Sequence, residues 1–145
     1  MRRIAFIALL FLTASLARAS DDVSGFRFGI LKAEGDGSYI LQTETTKIPR
    51  HLKDTGFRFG IAFQNPRCQE IEWHEIVQLP EKPSKATGNM RRSGATALKT
   101  TPQRSKQASV VDDFWFDKGD PLGKHRMELI VNGKSVYSVE FEVTE

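Results

Sequence analysis

The sequence predicts an all-β protein, an antiparallel β-sandwich of about seven strands. Apolar and polar residues alternate with a period of two in one segment after another, which is the spacing of a strand with one buried face. Turn-forming pairs such as Asn65-Pro66 and Asn132-Gly133 separate these segments. No segment after residue 20 shows the 3.6-residue periodicity of an amphipathic helix. Short strands with turns between them and no intervening helices favour a sandwich over a parallel sheet.

The first nineteen residues have the three parts of a secretory signal peptide. Met1-Arg2-Arg3 is cationic, residues 4–12 are an uninterrupted apolar run, and Ala17-Arg18-Ala19 has small residues at the positions that signal peptidase reads. The apolar run is too short to anchor the protein in a membrane. We therefore expect residues 1–19 to be removed, leaving a single periplasmic or secreted domain at 20–145 with no transmembrane segment.

The first predicted strands are rich in phenylalanine. In segment 26–30 two phenylalanines and an isoleucine alternate with arginine and glycine, and segment 57–63 repeats this pattern. A shorter apolar segment, 39–41, lies between them. The hexapeptide Gly-Phe-Arg-Phe-Gly-Ile occurs at both 25–30 and 56–61, but the residues that follow do not match. We interpret the two copies as similar core strands and not as units of a longer repeat.

The later predicted strands follow the same rule. In segment 71–79 an isoleucine, a tryptophan, a valine and a leucine share one face, and polar residues occupy the other. Segment 114–116 is aromatic throughout. Segments 127–131 and 137–143 both alternate and flank Asn132-Gly133, so they predict a hairpin.

The loop of this hairpin decides which side chains share a face. A two-residue loop at Asn132-Gly133 would place the apolar residues of the two strands on opposite faces. A three-residue loop, Val131-Asn132-Gly133, shifts the pairing by one residue and places Met127 opposite Tyr137. We therefore predict the three-residue loop, with Gly133 at positive φ and His125 on the core side.

Residues 81–107 differ from the rest of the chain in charge. They contain seven basic residues and one acidic residue, whereas the whole mature chain has 18 of each. Prolines and few apolar groups predict a long, mobile basic loop, which leaves open a short strand at 95–98. Its cations are the candidate anion-binding residues: Lys82, Lys85, Arg91, Arg92, Lys99, Arg104 and Lys106.

Two parts of the sequence resemble a known family. One part is Thr45-Thr46-Lys47-Ile48-Pro49 followed by residues 56–61, and the other runs from Asp120-Pro121-Leu122-Gly123-Lys124-His125 through Phe141-Glu142-Val143. Together they resemble an uncharacterised bacterial family of small exported proteins with an immunoglobulin-like β-sandwich. The resemblance covers most of residues 23–145 and implies that fold and export. It implies no activity.

The sequence has no recognisable metal or cofactor site. Residues 74–78 begin like the His-Glu-x-x-His zinc signature but end in glutamine, and the segment alternates like a strand. The three histidines, His51, His74 and His125, are far apart in the chain. The four aspartates between 112 and 120 miss the spacing of a calcium loop, and we expect Asp117 and Asp120 to cap a turn instead. We therefore expect no metal and no cofactor.

Nucleophilic catalysis is also not indicated. The chain has no Gly-x-Ser-x-Gly elbow and no phosphate-binding glycine loop. Cys68 is the only cysteine, so it cannot form an intrachain disulfide, and we expect it to be buried or to link two chains. We assign no catalytic residue.

Three hypotheses for function remain. The leading one is an exported non-catalytic binding or accessory module of the cell envelope, with an envelope protein or an anionic polymer as its partner. The second is a small exported hydrolase or metal-dependent enzyme, which would need His74 and His125 to converge with carboxylates. The third is electrostatic capture of an anionic polymer by residues 81–107. Nucleic acid is not expected, because the mature chain carries no net charge and residues 81–107 contain no aromatic side chain to stack on bases.

Overall fold

The computed structural model describes residues 22–145, and the predicted signal peptide at 1–19 lies outside them. Every regular element in the described range is a β-strand. Among these residues no helix is long and apolar enough to cross a membrane. The strands form two sheets with buried apolar side chains between them. The prediction of an all-β sandwich is confirmed.

The described chain contains eleven strands, against about seven predicted. They are β1 (Ser24–Ala33), β2 (Tyr39–Glu44), β3 (Lys47–Pro49), β4 (Arg58–Gln64), β5 (Ile71–Gln78), β6 (Met90–Arg92), β7 (Ala97–Thr100), β8 (Gln103–Ser105), β9 (Ser109–Phe114), β10 (Gly123–Val131) and β11 (Lys134–Thr144). One sheet has the order β2-β1-β4-β9. The other has the order β3-β11-β10-β5-β7-β6, and β8 also pairs with β5. All pairs are antiparallel except β3 with β11.

Six of the seven predicted strands correspond to β1, β2, β4, β5, β10 and β11. The seventh, predicted at 114–116, is wrong: β9 runs from Ser109 to Phe114 and ends before Trp115. The inward positions of β9 are Val110, Asp112 and Phe114, all buried. A buried carboxyl group at the middle position interrupts the apolar alternation, which is why the sequence pattern missed this strand.

The interpretation of residues 81–107 as one loop is wrong in part, because β6, β7 and β8 lie inside it. β7 and β8 pair with successive parts of β5, and β6 pairs with β7. The strand considered at 95–98 is β7, at Ala97–Thr100. These strands are short and mostly polar, so partners from distant sequence determine them more than their own pattern does. The mobility of the segment stays a prediction.

Aromatic side chains from both sheets meet in the core. Phe28 and Phe59 of the four-stranded sheet lie 4.9 and 5.8 Å, between ring centroids, from Phe141 of the other sheet. Phe63 and Trp73 meet edge to face at 6.0 Å, also across the two sheets. Such aromatic contacts add to the free energy gained by burial.

The two copies of the hexapeptide are neighbouring strands, β1 and β4. They pair in opposite directions, with Gly29 directly opposite Gly60. An added Cβ would lie 2.0 Å from the Thr43 carbonyl oxygen at Gly29, and 1.9 Å from the Asp112 carbonyl oxygen at Gly60. Each hexapeptide therefore needs its second glycine so that the outer neighbour, β2 or β9, can approach closely.

The predicted loop between β10 and β11 is wrong, although its consequence for the core is right. Val131 pairs with Lys134 across a two-residue turn in which Asn132 and Gly133 both have positive φ, 49° and 78°. The register shift comes instead from a bulge at Val136, between the pairs Ile130–Ser135 and Leu129–Tyr137. The apolar faces therefore coincide. The positive φ of Gly133 and the core-side position of His125, which is 6% exposed, are confirmed.

Gly60→Ala tests the close approach of β4 to β9. We expect the free energy of unfolding to fall by about 1–3 kcal/mol, because the added methyl group overlaps a backbone oxygen that cannot move freely. Gly35→Ala is the matched control, since nothing lies within 4 Å of its Cβ position. Denaturant unfolding of the two variants should differ clearly, and equal stabilities would contradict the packing described.

Candidate binding site

Three of the seven predicted anion-binding residues meet in one cleft. Arg91 and Arg92 lie on β6, and Lys99 lies on the neighbouring strand β7. Together with Ser93 and residues 100–102 they line a cleft of about 350 Å³, which we call the cationic cleft. Among the described residues, no acidic side chain lines it.

The other four predicted residues lie outside the cationic cleft. Arg104 forms an ion pair with Glu72, with 2.8 Å between nitrogen and oxygen. Lys85 lines a separate cavity of about 50 Å³ between the sheets. Lys82 and Lys106 are exposed, and neither forms an ion pair within residues 22–145.

The charges of the cationic cleft repel one another. Arg91 is directly opposite Lys99 in the antiparallel pair of β6 and β7. Like charges at opposite positions destabilise a strand pair. Because Leu98 and Thr100 on either side of Lys99 are buried, Lys99 projects to the outer face of the sheet. Burial, and then the charge of Lys99, lower the pKa of nearby His74, so this histidine adds no charge at neutral pH.

The segment before β6 is packed onto the turn that follows β9. The Arg92 guanidinium donates a hydrogen bond to the Pro83 carbonyl oxygen at 3.0 Å. The Thr87 hydroxyl group donates to Asp117 Oδ2 at 2.5 Å. These contacts hold the base of the β6–β7 hairpin and with it the position of the cationic cleft.

A second cleft, of about 290 Å³, lies beside Trp115. Trp115 is 43% exposed, Arg58 lies 5.2 Å from the centre of its ring, and a Cβ on Gly88 would be 3.0 Å from it. The charged groups of this cleft include two aspartates as well as Arg58 and Lys118. Since these charges balance, the cleft selects for an anion far less than the cationic cleft does.

The strand pairing is broken directly behind the cationic cleft. β5 pairs with β7 at residues 76–78 and with β8 at residues 71–73, which leaves positions 74 and 75 between the two partners. β7 ends at Thr100, and Pro102, which has no backbone N–H, precedes β8. The Thr100 hydroxyl group fills the gap: it accepts from the Glu75 backbone N–H at 2.8 Å and donates to Glu75 Oε2 at 2.7 Å.

Asp112 connects the two sheets through hydrogen bonds. Its Oδ2 accepts from Trp73 Nε1 at 3.1 Å and from Gln103 Nε2 at 2.7 Å. Asp112 lies on β9 of the four-stranded sheet, whereas Trp73 and Gln103 lie on β5 and β8 of the other. Donors from the opposite sheet therefore hold this nearly buried carboxylate.

Glu75 is completely buried beside Asp112. Burial, and then the charge of Asp112, raise the pKa of Glu75 well above its ordinary value of 4.5. Within the described residues Glu75 Oε1 receives no hydrogen bond, yet its carboxyl group is within hydrogen-bonding reach of Asp112. Both features follow if Glu75 is protonated and donates its proton to Asp112.

The structure does not bring the histidines together. His74 lies on the outer face of the seven-stranded sheet, and His125 faces the core. His125 Nδ1 donates to the Gly123 carbonyl oxygen at 3.0 Å, and burial lowers the pKa of its ring. His51 packs edge to face on Phe57 in the loop before β4. Within residues 22–145 no three metal-ligating side chains gather into a site.

The four aspartates between 112 and 120 have separate roles. Asp113 pairs with Arg58, with 3.2 Å between oxygen and nitrogen. Asp120 caps the turn at Gly119, where its Oδ2 accepts from the Asp117 backbone N–H at 2.6 Å, as predicted. The same prediction for the Asp117 carboxylate is wrong, because that group accepts from the Thr87 hydroxyl group instead. Burial raises the pKa of both Asp113 and Asp120.

Cys68 is exposed, on a turn with a positive φ of 50°. The expectation that it is buried is wrong. Its other expected role, a link between two chains, stays a prediction.

The sequence reasoning missed Glu75 and Asp112, although a signal for Glu75 was present. In the alternation of β5, Glu75 occupies the same face as Ile71, Trp73 and Val77, which is the face that points into the core. An acidic residue at an inward position of a regular strand indicates a buried polar partner. The sequence does not reveal that partner, because Asp112 belongs to the other sheet.

Comparisons with known proteins agree with this fold. A family model described as the PM0630 beta sandwich domain matches residues 26–144. The crystal structure of an immunoglobulin-like protein from Pseudomonas aeruginosa is similar at 16% identity and a TM-score of 0.53, over 87% of this chain and 99% of that one. An alkylpurine DNA glycosylase from Pseudomonas fluorescens, bound to DNA, reaches a TM-score of only 0.34 at 11% identity, over 83% of this chain and 30% of that one, and we draw nothing from it. No curated protein matches.

Glu75→Gln tests the protonated state of Glu75. Glutamine keeps a donor for Asp112 and an acceptor for Thr100, but it cannot ionise. A raised pKa in the folded protein means that stability is fully present below the unfolded value of 4.5 and is lost as the pH rises toward the folded value. We therefore expect the melting temperature of Glu75→Gln, relative to the natural protein, to increase steadily from pH 5 to pH 8.

Glu140→Gln makes the same chemical change at an exposed position of β11 and serves as the control. Its melting temperature should stay parallel to that of the natural protein over this pH range. The same parallel behaviour in Glu75→Gln would mean that Glu75 is ionised in the folded protein.

Proposed function

The chain belongs to the family of the PM0630 beta sandwich domain, and we propose that it is an exported, non-catalytic binding module of the cell envelope that holds an anionic polymer in the cationic cleft. One observation carries this proposal: Arg91, Arg92 and Lys99 line one cleft that contains no acidic side chain among the described residues. The mature chain has equal numbers of acidic and basic residues, so this local concentration of positive charge is not a property of the whole surface.

The chemistry of the cationic cleft suits an oxyanion. A guanidinium group such as that of Arg91 presents several N–H donors in a plane, which matches the oxygens of a phosphate or carboxylate group. Lys99 adds a point charge directly across the strand pair. An anion between the two would remove their mutual repulsion, which favours occupation of the cleft over an empty one.

A polymer with repeated phosphate or carboxylate groups is the ligand that we favour. The cationic cleft lies on a sheet edge, and two further cations of the same segment, Lys82 and Lys106, are exposed. After one of its anionic groups enters the cleft, a polymer can also reach these exposed lysines. Each of these additional contacts is weak, because exposed charges are screened beyond a Debye length of about 8 Å at physiological salt. The edge position has a structural use too, because charged residues on an edge strand prevent pairing with other chains.

Export rests on the signal peptide predicted at 1–19. We expect the exported protein to begin at Ser20, which N-terminal sequencing would establish. A cytosolic protein that keeps Met1 would contradict export.

The enzyme hypothesis finds no supporting geometry. It needs His74 and His125 to converge, and they lie on opposite faces of one sheet. We therefore propose no second function.

Reversal of two charges tests the cationic cleft. The double variant Arg91→Glu/Lys99→Glu should bind short-chain inorganic polyphosphate at least tenfold more weakly than the natural protein, a loss of about 1.4 kcal/mol. Lys32→Glu/Lys134→Glu is the matched control, since it makes the same change in net charge at two exposed lysines that do not line the cleft. Binding measured by fluorescence anisotropy should also weaken as salt is raised.

Equal losses in the two double variants would show a general charge effect and contradict a site in the cleft. Polygalacturonate, a polymer of carboxylates, distinguishes the two kinds of anionic group. Tighter binding of polyphosphate would identify phosphate as the preferred group, and tighter binding of polygalacturonate would identify carboxylate.

A further inference from the structure

We infer that the second cleft, beside Trp115, is a binding site for a neutral sugar ring, such as one unit of a polysaccharide. We call it the aromatic cleft, and its lining comes from two segments of the chain, 51–58 and 115–118. The inference goes beyond the proposed function, because it concerns another cleft and an uncharged ligand.

The aromatic cleft exposes apolar surface in a concave place. Trp115 and Leu52 both line it and are 43% and 41% exposed. Two of the four large apolar side chains that are exposed among the described residues therefore lie in this one cleft. Phe57 and Phe116 add further aromatic surface, and the ring of His51 packs edge to face on Phe57. Apolar surface collected in a cleft is typical of a ligand site.

The charges of the aromatic cleft cancel. Asp54 and Asp117 contribute two negative charges, and Arg58 and Lys118 contribute two positive charges. A charged ligand would meet a repelling group beside each attracting one. A neutral ligand that both donates and accepts hydrogen bonds meets no such repulsion and can use all four groups.

Polar atoms of the aromatic cleft are free to bind a ligand. Asp54 Oδ1 accepts from the Gly56 backbone N–H at 2.9 Å, and Asp117 Oδ2 accepts from the Thr87 hydroxyl group. Within residues 22–145 the second carboxylate oxygen of each aspartate has no hydrogen-bond donor. Lys118 is exposed and forms no ion pair in the same range. Two carboxylate oxygens and one ammonium group are therefore available to hydroxyl groups of a ligand.

Hydrogen bonds fix the two walls of the aromatic cleft to each other. Arg50, just before the first segment, donates through Nη1 to the Asp120 carbonyl oxygen, just after the second, at 2.7 Å. Arg58 donates to the Thr55 carbonyl oxygen at 2.8 Å, and its guanidinium carbon lies 5.2 Å from the centre of the Trp115 ring. A cleft that is formed before its ligand arrives loses less conformational entropy on binding.

A sugar ring has the chemistry that these features select. It presents a face of C–H groups, which packs on an aromatic ring, and a rim of hydroxyl groups that both donate and accept hydrogen bonds. One carboxylate can accept from two neighbouring hydroxyl groups. The volume of about 290 Å³ is at the small end of the range for ligand pockets, about 300–1,000 Å³, which suits a single ring better than a large ligand.

Nitrogen-15 NMR of the tryptophan side chains tests the aromatic cleft. The probes are three neutral oligosaccharides: chitotetraose, cellotetraose and maltotetraose. At least one of them should shift the indole N–H signal of Trp115, with a dissociation constant of about 1 mM or lower. The indole of Trp73 is buried and donates to Asp112, so its signal should not move and serves as the internal control.

Substitutions of Trp115 test the role of its ring. Trp115→Ala should weaken the binding at least about tenfold, because the surface that packs on the sugar is lost. Trp115→Phe, which keeps an aromatic ring and assigns the indole signal, should lose less. Backbone amide signals of residues 51–58 follow binding in both variants and show that each is folded. Ile40→Ala, at an exposed apolar position of β2 outside the cleft, is the matched control and should bind like the natural protein.

Salt and the cationic cleft separate this inference from the proposed function. Binding of a neutral sugar should not depend on salt and should be unchanged in Arg91→Glu/Lys99→Glu. Sugar binding without polyphosphate binding would overturn the proposed function and support this inference, and polyphosphate binding without sugar binding would overturn this inference alone. A Trp115 signal that none of the three probes shifts, or equal binding by Trp115→Ala and the natural protein, would also overturn it.

Discussion

The hydrogen-bonded pair of Glu75 and Asp112 is the interaction on which this sandwich depends at its open edge. Through Trp73, Gln103 and Thr100 it joins one strand of the four-stranded sheet to three strands of the other. Elsewhere in the core, buried apolar side chains pack between the two sheets. Removing one member of such a buried pair costs several kcal/mol, because the group that remains loses its partner without regaining water. The hydrogen bonds of Thr100 and Gln103 to this pair add to the pairing of β7 and β8 with β5, and so contribute to the position of the cationic cleft.

The central part of the fold could be predicted from the sequence because its strands bury one face each. Period-two alternation located β1, β4, β5, β10 and β11, whose inward residues are apolar almost without exception. β9 was misplaced because Asp112 occupies the middle of its inward face. β6, β7 and β8 were predicted as a loop because their sequences lack a period-two alternation of apolar residues. Their pairing with β5 and with one another places them in the sheet instead.

The candidate site was predictable in composition and not in arrangement. A run of seven cations predicts an attraction for anions, but it does not tell which of them meet. The β6–β7 pairing brings Arg91 opposite Lys99, while Arg104 is paired with Glu72. The hairpin of β10 and β11 was likewise predicted only in part. The sequence correctly required the apolar faces of the two strands to coincide, but the extra residue that aligns them is Val136, within β11, and not a residue of the turn.

The protonation of Glu75 at neutral pH is the central claim, and its carboxyl carbon reports it directly. Carbon-13 NMR of protein labelled at the glutamate side chains follows each carboxyl group through a pH titration. With Glu75→Gln used to assign the signal, the Glu75 carboxyl should keep the chemical shift of a protonated acid at pH 7, where an ordinary glutamate side chain is ionised. A Glu75 signal that changes over the pH range of an ordinary glutamate would contradict the protonated state of Glu75 in the folded protein.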